Sequence, residues 1–294
     1  MKWCDIPEQS VPYYTFPNLE QTGLVVSAFT TKLYRSSGKL HHHFQPLLRS
    51  SSDPEEVACC RQMLLEQWKT DKDHVVSSAQ KHTANIHMVT DDDLGPEENR
   101  IPLESVDGLI TDRPGVMLQT FGADCPSVYL VDPVHRAIGL CHSGRKGTQK
   151  QIASVLLQSM AESFGTKPED VQAAISPGIC RDCYEVGDEV AREFVQSYYG
   201  KTPEDPCSVL SFQDGRYHID LPRAITDSLI AAGIPANQID CSDLCTRCRP
   251  DRFYSFRAEG RISNENCALL MILPSAGSDS ESSEISAGTP VSDS

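Results

Sequence analysis

Apolar residues recur along the chain at two spacings that alternate with each other. Short runs rich in Val, Ile, Leu and aromatic residues, bounded by Gly, Pro and polar residues, are typical of β-strands. Such runs predict strands at residues 23–31, 115–120, 127–132, 137–142, 171–178, 252–258 and 267–273.

Between these runs, apolar residues return at every third or fourth position, which predicts helices with one buried face. The first helix begins at Pro54, behind Ser52 or Asp53 as the N-cap, and reaches about Trp68. Three more are predicted at residues 152–164, at about 188–199, and from 221, behind Asp220 as the cap, to a stop at 233.

The alternation of strands and helices predicts an α/β fold. No segment of linker composition divides residues 1–273, so we expect a single domain there. Residues 274–294 are rich in Ser, Gly and acidic residues, and this composition predicts a disordered tail. Residues 36–52, which include three consecutive histidines at 41–43, are predicted to form a mobile solvated loop.

The charge and the apolar runs of the chain bear on whether it binds nucleic acid, small anions or membranes. The 294 residues include 41 acids and 26 bases, for a net charge of −15, whereas non-specific nucleic-acid binding needs a positive surface. A small anionic substrate stays compatible with this charge, because the local field of a pocket can oppose the net charge. No apolar run reaches the length of roughly 18 residues that a membrane span needs, so we expect no membrane partner.

The number of cysteines and the N-terminal sequence bear on the cellular compartment. The chain has twelve of them, and its first ten residues, MKWCDIPEQS, lack the apolar core of a secretory signal. We therefore expect a cytoplasmic protein whose thiols serve packing, metal binding or catalysis.

Residues 122–148, GADCPSVYLVDPVHRAIGLCHSGRKGT, concentrate the candidate chemistry. Cys125 lies between an acidic residue and a proline, and His142 ends a predicted buried strand, where α/β folds usually place their sites. Arg145 and Lys146 follow at the start of the next helix, whose backbone N–H groups would help to bind an anion. On spacing alone, a structural histidine beside a solvated basic loop fits the pattern equally well.

A third candidate ligand is His82, in the segment SSAQKHTANIHMV. Two imidazoles and one thiolate, from His82, His142 and Cys125, would form a three-ligand site with an open fourth position, as in catalytic zinc sites. The same ligands suit copper. Two other functions use these residues: a thiol hydrolase with Cys125 as nucleophile and His142 as base, and a copper phenol oxidase, although the sequence offers ligands for only one metal.

Five sequence blocks resemble a known family when taken in order. They are QKHTANI, DGLITDRPGVMLQTFGADCPSVYLVDP, AIGLCHSGRKGT, SPGICRDCYEVGDEV and CTRCRPDRFYSFRAEGR. Together they resemble the laccase-domain family of bacteria and metazoans, once called multicopper polyphenol oxidoreductases and now regarded as purine nucleoside phosphorylases. The resemblance covers about residues 23–273 and implies a compact α/β domain with mixed β-sheets flanked by helices.

The resemblance also implies a function and its residues. The family binds a metal through positions that correspond to His82, Cys125 and His142, which are the implied catalytic residues, with Zn²⁺ as the expected metal and Cu²⁺ as the alternative. The implied reaction is phosphorolysis of adenosine, inosine and S-methyl-5′-thioadenosine to free base and the 1-phosphate of the sugar. Adenosine deaminase activity accompanies it. The implied partners are therefore small molecules, namely purine nucleosides and phosphate.

The basic residues depart from the family pattern. Where the family reads His-Ala-Gly-Trp-Arg-Gly, this chain has Arg145 in place of the aromatic residue and Lys146 in place of the arginine. Lys32 also replaces an arginine, and Arg257 lacks the second arginine that usually follows it. A lysine keeps the positive charge but loses the planar fork that binds two phosphate oxygens at once. We still expect Arg145, Lys146, Arg257 and Lys32 to bind phosphate.

Two C-x-x-C pairs remain, Cys180 with Cys183 and Cys245 with Cys248. Such pairs can form a structural zinc site. Both stand where the family often has cysteines without a second metal, so the sequence favours buried or reactive free thiols.

Overall fold

The computed structural model describes residues 1–5, 10–47, 53–200, 202, 208–260 and 264–274. Ser52 and the predicted tail from residue 275 onward lie outside the described residues. Within the described part, the helices are α1 (Pro17–Glu20), α2 (Pro54–Trp68), α3 (Arg145–Gln149), α4 (Ile152–Phe164), α5 (Asp188–Tyr199), α6 (Leu221–Ala231) and α7 (Phe256–Glu259). None of these described helices combines the length and the apolar character that a membrane span requires.

Four sheets are built from the strands of the described residues. In chain order, the strands are β1 (Lys2–Cys4), β2 (Tyr13–Thr15), β3 (Val25–Thr30), β4 (Leu33–Ser36), β5 (Lys39–His42), β6 (Val75–Val76), β7 (Ile86–Met88), β8 (Gly108–Thr111), β9 (Met117–Gly122), β10 (Ser127–Asp132), β11 (Ala137–His142), β12 (Gln172–Ile175), β13 (Glu185–Val186), β14 (Leu210–Gln213), β15 (Arg216–Ile219), β16 (Ile239–Cys241) and β17 (Asn266–Ile272).

Two of the sheets have six strands and form the centre of the fold. Sheet one has the order β1-β2-β3-β17-β9-β6, and sheet two has the order β16-β12-β10-β11-β8-β7. Most neighbouring strands are antiparallel, but β6 with β9, β12 with β16 and β7 with β8 are parallel. The α/β fold with mixed sheets is therefore confirmed.

The two large sheets pack face to face. Phe29 and Leu270 from sheet one share one hydrophobic core with Tyr129 and Leu140 from sheet two. The Tyr129 hydroxyl also donates a hydrogen bond to the backbone carbonyl of Ala28, at 2.8 Å. Because Tyr129 is fully buried, this bond satisfies a phenol that would otherwise be costly to bury.

Helices cover the outer faces of the large sheets. On sheet two, α4 and α6 pack against β10 and β11 through Leu156, Met160 and Ile225, and on sheet one α2 packs through Met63 and Leu64. Strands β10 and β11 are therefore buried on both faces, at every position. This double cover explains why their sequences are nearly continuous apolar runs and do not alternate.

The helices largely follow the sequence predictions. Asp53 caps α2 and accepts a hydrogen bond from the backbone N–H of Glu55, and Asp220 caps α6 through the N–H of Arg223. The helix predicted at 188–199 is α5. The helical region after His142 differs in one respect, because α3 and α4 are separated by Lys150 and Gln151, and the φ of Gln151 is 61°.

Two further sequence predictions were wrong. The aromatic segment 252–258 is not a strand: Phe253 and Tyr254 are buried loop residues, and Ser255 caps the short helix α7. The predicted loop 36–52 differs at its start, where β4 pairs with β5 in a hairpin, and residues 48–52 lie outside the described residues. Backbone pairing across a tight turn produces that hairpin, although β5 carries few apolar residues.

Candidate metal and active site

Two connections and the end of one strand bring His82, Cys125 and His142 together. His82 lies in the segment before β7, Cys125 lies between β9 of sheet one and β10 of sheet two, and His142 is the last residue of β11. Their ligand atoms all lie within 4.8 Å of one another. Cys125 Sγ is 3.9 Å from His82 Nε2, and the two imidazole rings meet edge to face with centroids 4.8 Å apart.

Asp107 holds this group in place. Its carboxylate accepts hydrogen bonds from the backbone N–H groups of Lys81, His82 and Thr83, at 3.1, 3.0 and 2.7 Å. The same carboxylate lies 3.0 Å from Nδ1 of His142. A carboxylate at Nδ1 fixes the ring orientation and leaves Nε2 free to bind a metal.

Charge–charge contacts shift the ionisation of these groups. Burial opposes ionisation of Asp107, but hydrogen bonds from His142 and Thr83 hold its pKa well below the ordinary value. Burial also opposes charge on the other two residues. Attraction between Cys125 and His142 nevertheless lowers the pKa of the Cys125 thiol to about 7 and, with the Asp107 hydrogen bond, raises the pKa of His142 to about 10. The arrangement therefore favours a thiolate at Cys125, which is the form that binds metals.

The backbone around the three side chains has unusual φ angles and one close approach at a glycine. His82 has a φ of 57° and Asp124 a φ of 90°, both in the left-handed region that residues other than glycine seldom adopt. Gly144 contributes space, because a Cβ there would lie 2.7 Å from Cys125 Sγ and 2.8 Å from His82 Cδ2. Backbone strain of this kind concentrates at functional sites.

The donor set fits a transition-metal ion. One thiolate and two imidazoles are the ligand types of zinc and copper sites, and three protein ligands leave a position open for substrate or water. Asp107 supplies the second partner that a metal-binding histidine usually has. Gln80, which precedes His82 in the sequence motif, plays a different role: its amide exchanges two 2.8 Å hydrogen bonds with the backbone of Phe121 and anchors the segment to β9.

Two of the four predicted phosphate-binding residues meet beside this group, at Tyr184. The Arg257 guanidinium lies 5.2 Å from the centre of the Tyr184 ring, and the positive charge of Arg145 is close enough to favour ionisation of the Tyr184 phenol and so act to lower its pKa. The backbone N–H of Arg257 also donates to Asp124, the neighbour of Cys125, at 2.7 Å. Burial raises the pKa of Tyr184, and Cys125 is close enough to raise it further.

The predicted lysines differ in position. Lys146 is exposed on α3, next to Arg145. Lys32 is half-buried, and its backbone bonds to Arg252 and Phe44 place it in the connection from β3 to β4, in a different segment from the three ligands. Lys150 was not singled out from the sequence, but its Nζ lies 3.5 Å from the carbonyl oxygen of His82.

Sequence reasoning missed several residues that shape the site. Asp107 precedes β8, a four-residue strand too short to stand out in the pattern; an acid directly before the apolar run Gly-Leu-Ile-Thr was the available signal. Glu193 lies on α5 and forms an ion pair of 3.3 Å with Arg145. Tyr184 lies directly after a C-x-x-C pair, and no local pattern marked it as facing Cys125.

A separate cavity of about 580 Å³ lies away from these residues. Leu64 of α2, Val76 of β6, Arg100 and Phe121 are among its lining residues, whereas the three candidate ligands are not. Three backbone carbonyls, those of Gly95, Val75 and Lys72, accept hydrogen bonds from the Arg100 guanidinium.

Comparisons with known proteins identify relatives of the whole fold. The family model described as multi-copper polyphenol oxidoreductase laccase matches residues 26–272. The chain is 33% identical over 210 residues to adenosine deaminase RL5 from an unknown prokaryotic organism, which covers 71% of this chain and 79% of that protein. It is 30% identical over 237 residues to purine nucleoside phosphorylase YlmD from Bacillus subtilis, covering 80% and 84%. The crystal structure of YlmD from Geobacillus stearothermophilus superposes with a TM-score of 0.78 at 29% identity, covering 90% of this chain and 97% of that one.

Proposed function

The chain belongs to the multi-copper polyphenol oxidoreductase laccase family, and we propose that it is a metal-dependent purine nucleoside phosphorylase. Its proposed substrates are adenosine, inosine and S-methyl-5′-thioadenosine together with phosphate, and its products are the free base and the sugar 1-phosphate. Adenosine deaminase activity is the proposed second reaction, supported by the likeness to adenosine deaminase RL5. We propose a cytoplasmic location on the basis of the cysteine-rich composition.

One observation carries the proposal most directly. Ligand atoms of His82, Cys125 and His142 lie within 4.8 Å of one another, beside a tyrosine that Arg145 and Arg257 flank. Two imidazoles and a thiolate, whose chemistry suits a metal, therefore lie next to guanidinium groups, whose charge suits phosphate, and this proximity supports the proposal. The relatives named purine nucleoside phosphorylase support the same assignment.

His82, Cys125 and His142 would hold the metal, and Zn²⁺ is the proposed ion, with Cu²⁺ as the alternative. When bound, such a metal supplies Lewis-acid chemistry at the position that the three residues surround. The Asp107 carboxylate would fix the orientation of the His142 ring. It also accepts hydrogen bonds from the backbone of residues 81–83, which would hold His82 in position beside the other two ligands.

The basic residues would bind and orient phosphate. Arg145 lies on the Tyr184 side of the cluster, and Lys146 is exposed beside it and able to move toward an anion. Arg257 donates a 2.8 Å hydrogen bond to the Glu185 carbonyl and keeps other N–H groups for phosphate oxygens. Phosphate must compete with Glu193 for Arg145, and a dianion in a charge-assisted hydrogen bond outweighs a single exposed carboxylate. Lys32 is assigned to phosphate by the family resemblance alone.

The direct test is to incubate the protein with adenosine or inosine, with and without phosphate. We expect free base and ribose 1-phosphate only when phosphate is present, and ammonia release from adenosine as a separate product. His82→Ala and Cys125→Ser should remove turnover, whereas Cys59→Ser, at an exposed thiol on α2, should not change it. Base release that is equally fast without phosphate would contradict the assignment.

A thiol hydrolase is the second candidate, because the Cys125 and His142 ligand atoms lie within 4.8 Å of each other and His142 helps to lower the pKa of the Cys125 thiol to about 7. Metal content separates the two functions. A nucleophilic Cys125 works in metal-stripped protein and is inactivated by iodoacetamide, whereas the phosphorylase loses its activity on metal removal and regains it when the ion is restored.

A further inference from the structure

The two C-x-x-C pairs, which the proposed function does not use, come together in space. Cys180 and Cys183 follow β12, and Cys245 and Cys248 follow β16, the strand parallel to β12 in sheet two. Because the two strands are parallel neighbours, their carboxyl ends lie side by side, and the two segments that follow them begin at the same edge of sheet two. An isolated bridge between Gly178 and Cys245 continues the pairing into this region.

The four sulfur atoms form a compact group. All four lie within 4.8 Å of one another, and Cys183 Sγ is 3.4 Å from Cys248 Sγ. A disulfide needs about 2.05 Å, and all four residues are free thiols. By contrast, a tetrahedral zinc with Zn–S bonds of about 2.3 Å separates its sulfurs by about 3.8 Å. The observed group is therefore close to the size of a tetrahedral four-thiolate site.

The surroundings of the sulfurs also suit thiolates. The backbone N–H of Cys180 donates to Cys245 Sγ at 3.3 Å. Each C-x-x-C pair encloses an arginine, Arg181 or Arg247. Four thiolates around a divalent ion carry a net charge of −2, which N–H donors and arginines offset.

We propose that Cys180, Cys183, Cys245 and Cys248 bind a structural Zn²⁺ ion, separate from the metal of the His82, Cys125 and His142 site. Each thiol that binds releases its proton to solvent, and no oxidation step is involved. All four positions of the ion are filled by sulfur, which is the ligand pattern of a structural and not a catalytic zinc.

The contacts of these two segments show what the ion would hold in place. Thr246, between the cysteines of the second pair, donates to the Asp124 carboxylate at 2.6 Å, and the N–H of Ile179 donates to the Asp124 carbonyl at 2.8 Å. Asp124 precedes Cys125, and Tyr184 directly follows Cys183. Zinc at the four-cysteine site would therefore fasten together the two segments that support the Cys125 loop.

The experiment counts zinc in the full chain, purified under reducing conditions and without chelators. Two variants separate the two sites: Cys183→Ser/Cys248→Ser for the four-cysteine site, and His82→Ala/Cys125→Ala for the proposed catalytic site. We expect each to contain one zinc fewer than wild type, and the control Cys59→Ser to contain as much as wild type. The four-cysteine variant should also melt at a lower temperature, because the zinc no longer ties the two segments together.

Cobalt provides a readout that does not depend on how well the cysteine variant folds. His82→Ala/Cys125→Ala protein loaded with Co²⁺ should show the strong thiolate-to-cobalt absorption of a tetrahedral site, and zinc should displace it. Absence of this absorption, or a zinc content in Cys183→Ser/Cys248→Ser equal to that of wild type, would overturn the proposal. Failure of the proposed catalytic metal is distinguishable, because then only the four-cysteine variant loses zinc.

Discussion

At the scale of single residues, Asp107 connects two of the three proposed metal ligands. It is fully buried, and one oxygen of its carboxylate bonds to both the His82 backbone and the His142 ring. A neutral amide at this position keeps the size of the side chain but loses the charge that orients the imidazole.

Asp107→Asn is therefore expected to weaken metal binding by about 10- to 100-fold, the usual effect of removing such an orienting partner. Competition with a chelator of known affinity measures the change. The control is Asp112→Asn, because Asp112 is an exposed carboxylate shortly after β8. Equal metal affinity in Asp107→Asn and wild type would show that the hydrogen bonds of Asp107 serve stability alone.

Gly144 is the second residue whose substitution should change metal binding, because it lies against two of the proposed ligands. Gly144→Ala places a Cβ within 2.7 Å of Cys125 Sγ, so the ligands must move apart. Overpacking of this kind costs about 1–3 kcal/mol, and we expect weaker metal binding together with lower turnover.

Gly187→Ala is a closely matched control for that substitution. Gly187 caps α5 with φ −76° and ψ 163°, and Gly144 caps α3 with φ −72° and ψ 177°. A Cβ on Gly187 meets nothing within 4 Å. The expectation is wrong if Gly144→Ala and Gly187→Ala bind metal equally well in the same chelator titration.

At the scale of elements, the short helix α3 sets the character of the proposed phosphate site. It has five residues and is separated from α4 by Lys150 and by Gln151, which has a left-handed conformation. A helix this short adds little dipole, so we assign phosphate binding to the side chains of Arg145 and Lys146.

Phosphate should therefore protect the wild-type protein against heat more than chloride does at equal ionic strength. Phosphate at about 100 times its Kd adds roughly 2.7 kcal/mol to the stability of a folded state that alone binds it. Arg145→Ala/Lys146→Ala should lose this phosphate-specific rise in Tm and keep its metal, because the three ligands are unchanged.

The matched control removes two positive charges elsewhere, as Lys39→Ala/Lys167→Ala, both at exposed positions. It should keep the phosphate-specific protection. If Arg145→Ala/Lys146→Ala is protected as well as wild type, phosphate binds through other residues, and Arg257 is then the first to examine.

At the scale of the whole molecule, the two sheets and the helices that cover them bury some carboxylates at the ends of strands, and Asp132 is one of these. Asp132 ends β10, and its carboxylate accepts from the N–H groups of Val134 and His135 at 2.9 and 3.1 Å. Burial opposes its ionisation, but these hydrogen bonds and the contact with the His135 ring nitrogen, at 2.7 Å, lower its pKa from the ordinary value of 3.8. A lowered folded-state pKa contributes stability above the unfolded value, and that stability is lost as the pH falls through the folded value.

Asp132→Asn should therefore be less stable than wild type at neutral pH, by about 1–3 kcal/mol for the lost charge-assisted bonds. The difference should shrink as the pH falls below the unfolded value of about 4 and through the lowered folded value, because wild type then loses the same charge. Urea unfolding across this range measures the difference in the free energy of unfolding, with Asp243→Asn, at an exposed position, as the control. A difference that does not depend on pH would contradict the role of the ionised carboxylate.

The sequence by itself determined the features that depend on neighbours in the chain. The caps at Asp53 and Asp220, the helix from Asp188 to Tyr199 and the buried strands β10 and β11 follow from local spacing, because one face or both faces of each element must be buried. Motif resemblance also named His82, Cys125 and His142, which the fold then brings together.

Tertiary structure decided what depends on partners far along the chain. Residues 252–258 have the composition of a strand, yet Phe253 and Tyr254 are buried as a loop and Ser255 starts a helix. Asp107 became a partner of His142 only through the register of β8 against β11, where Gly108 pairs with Cys141. Likewise, the two C-x-x-C pairs meet only because β12 and β16 are parallel neighbours. The local spacing of residues cannot predict these long-range contacts, because the order and register of the strands depend on how whole elements are buried against one another.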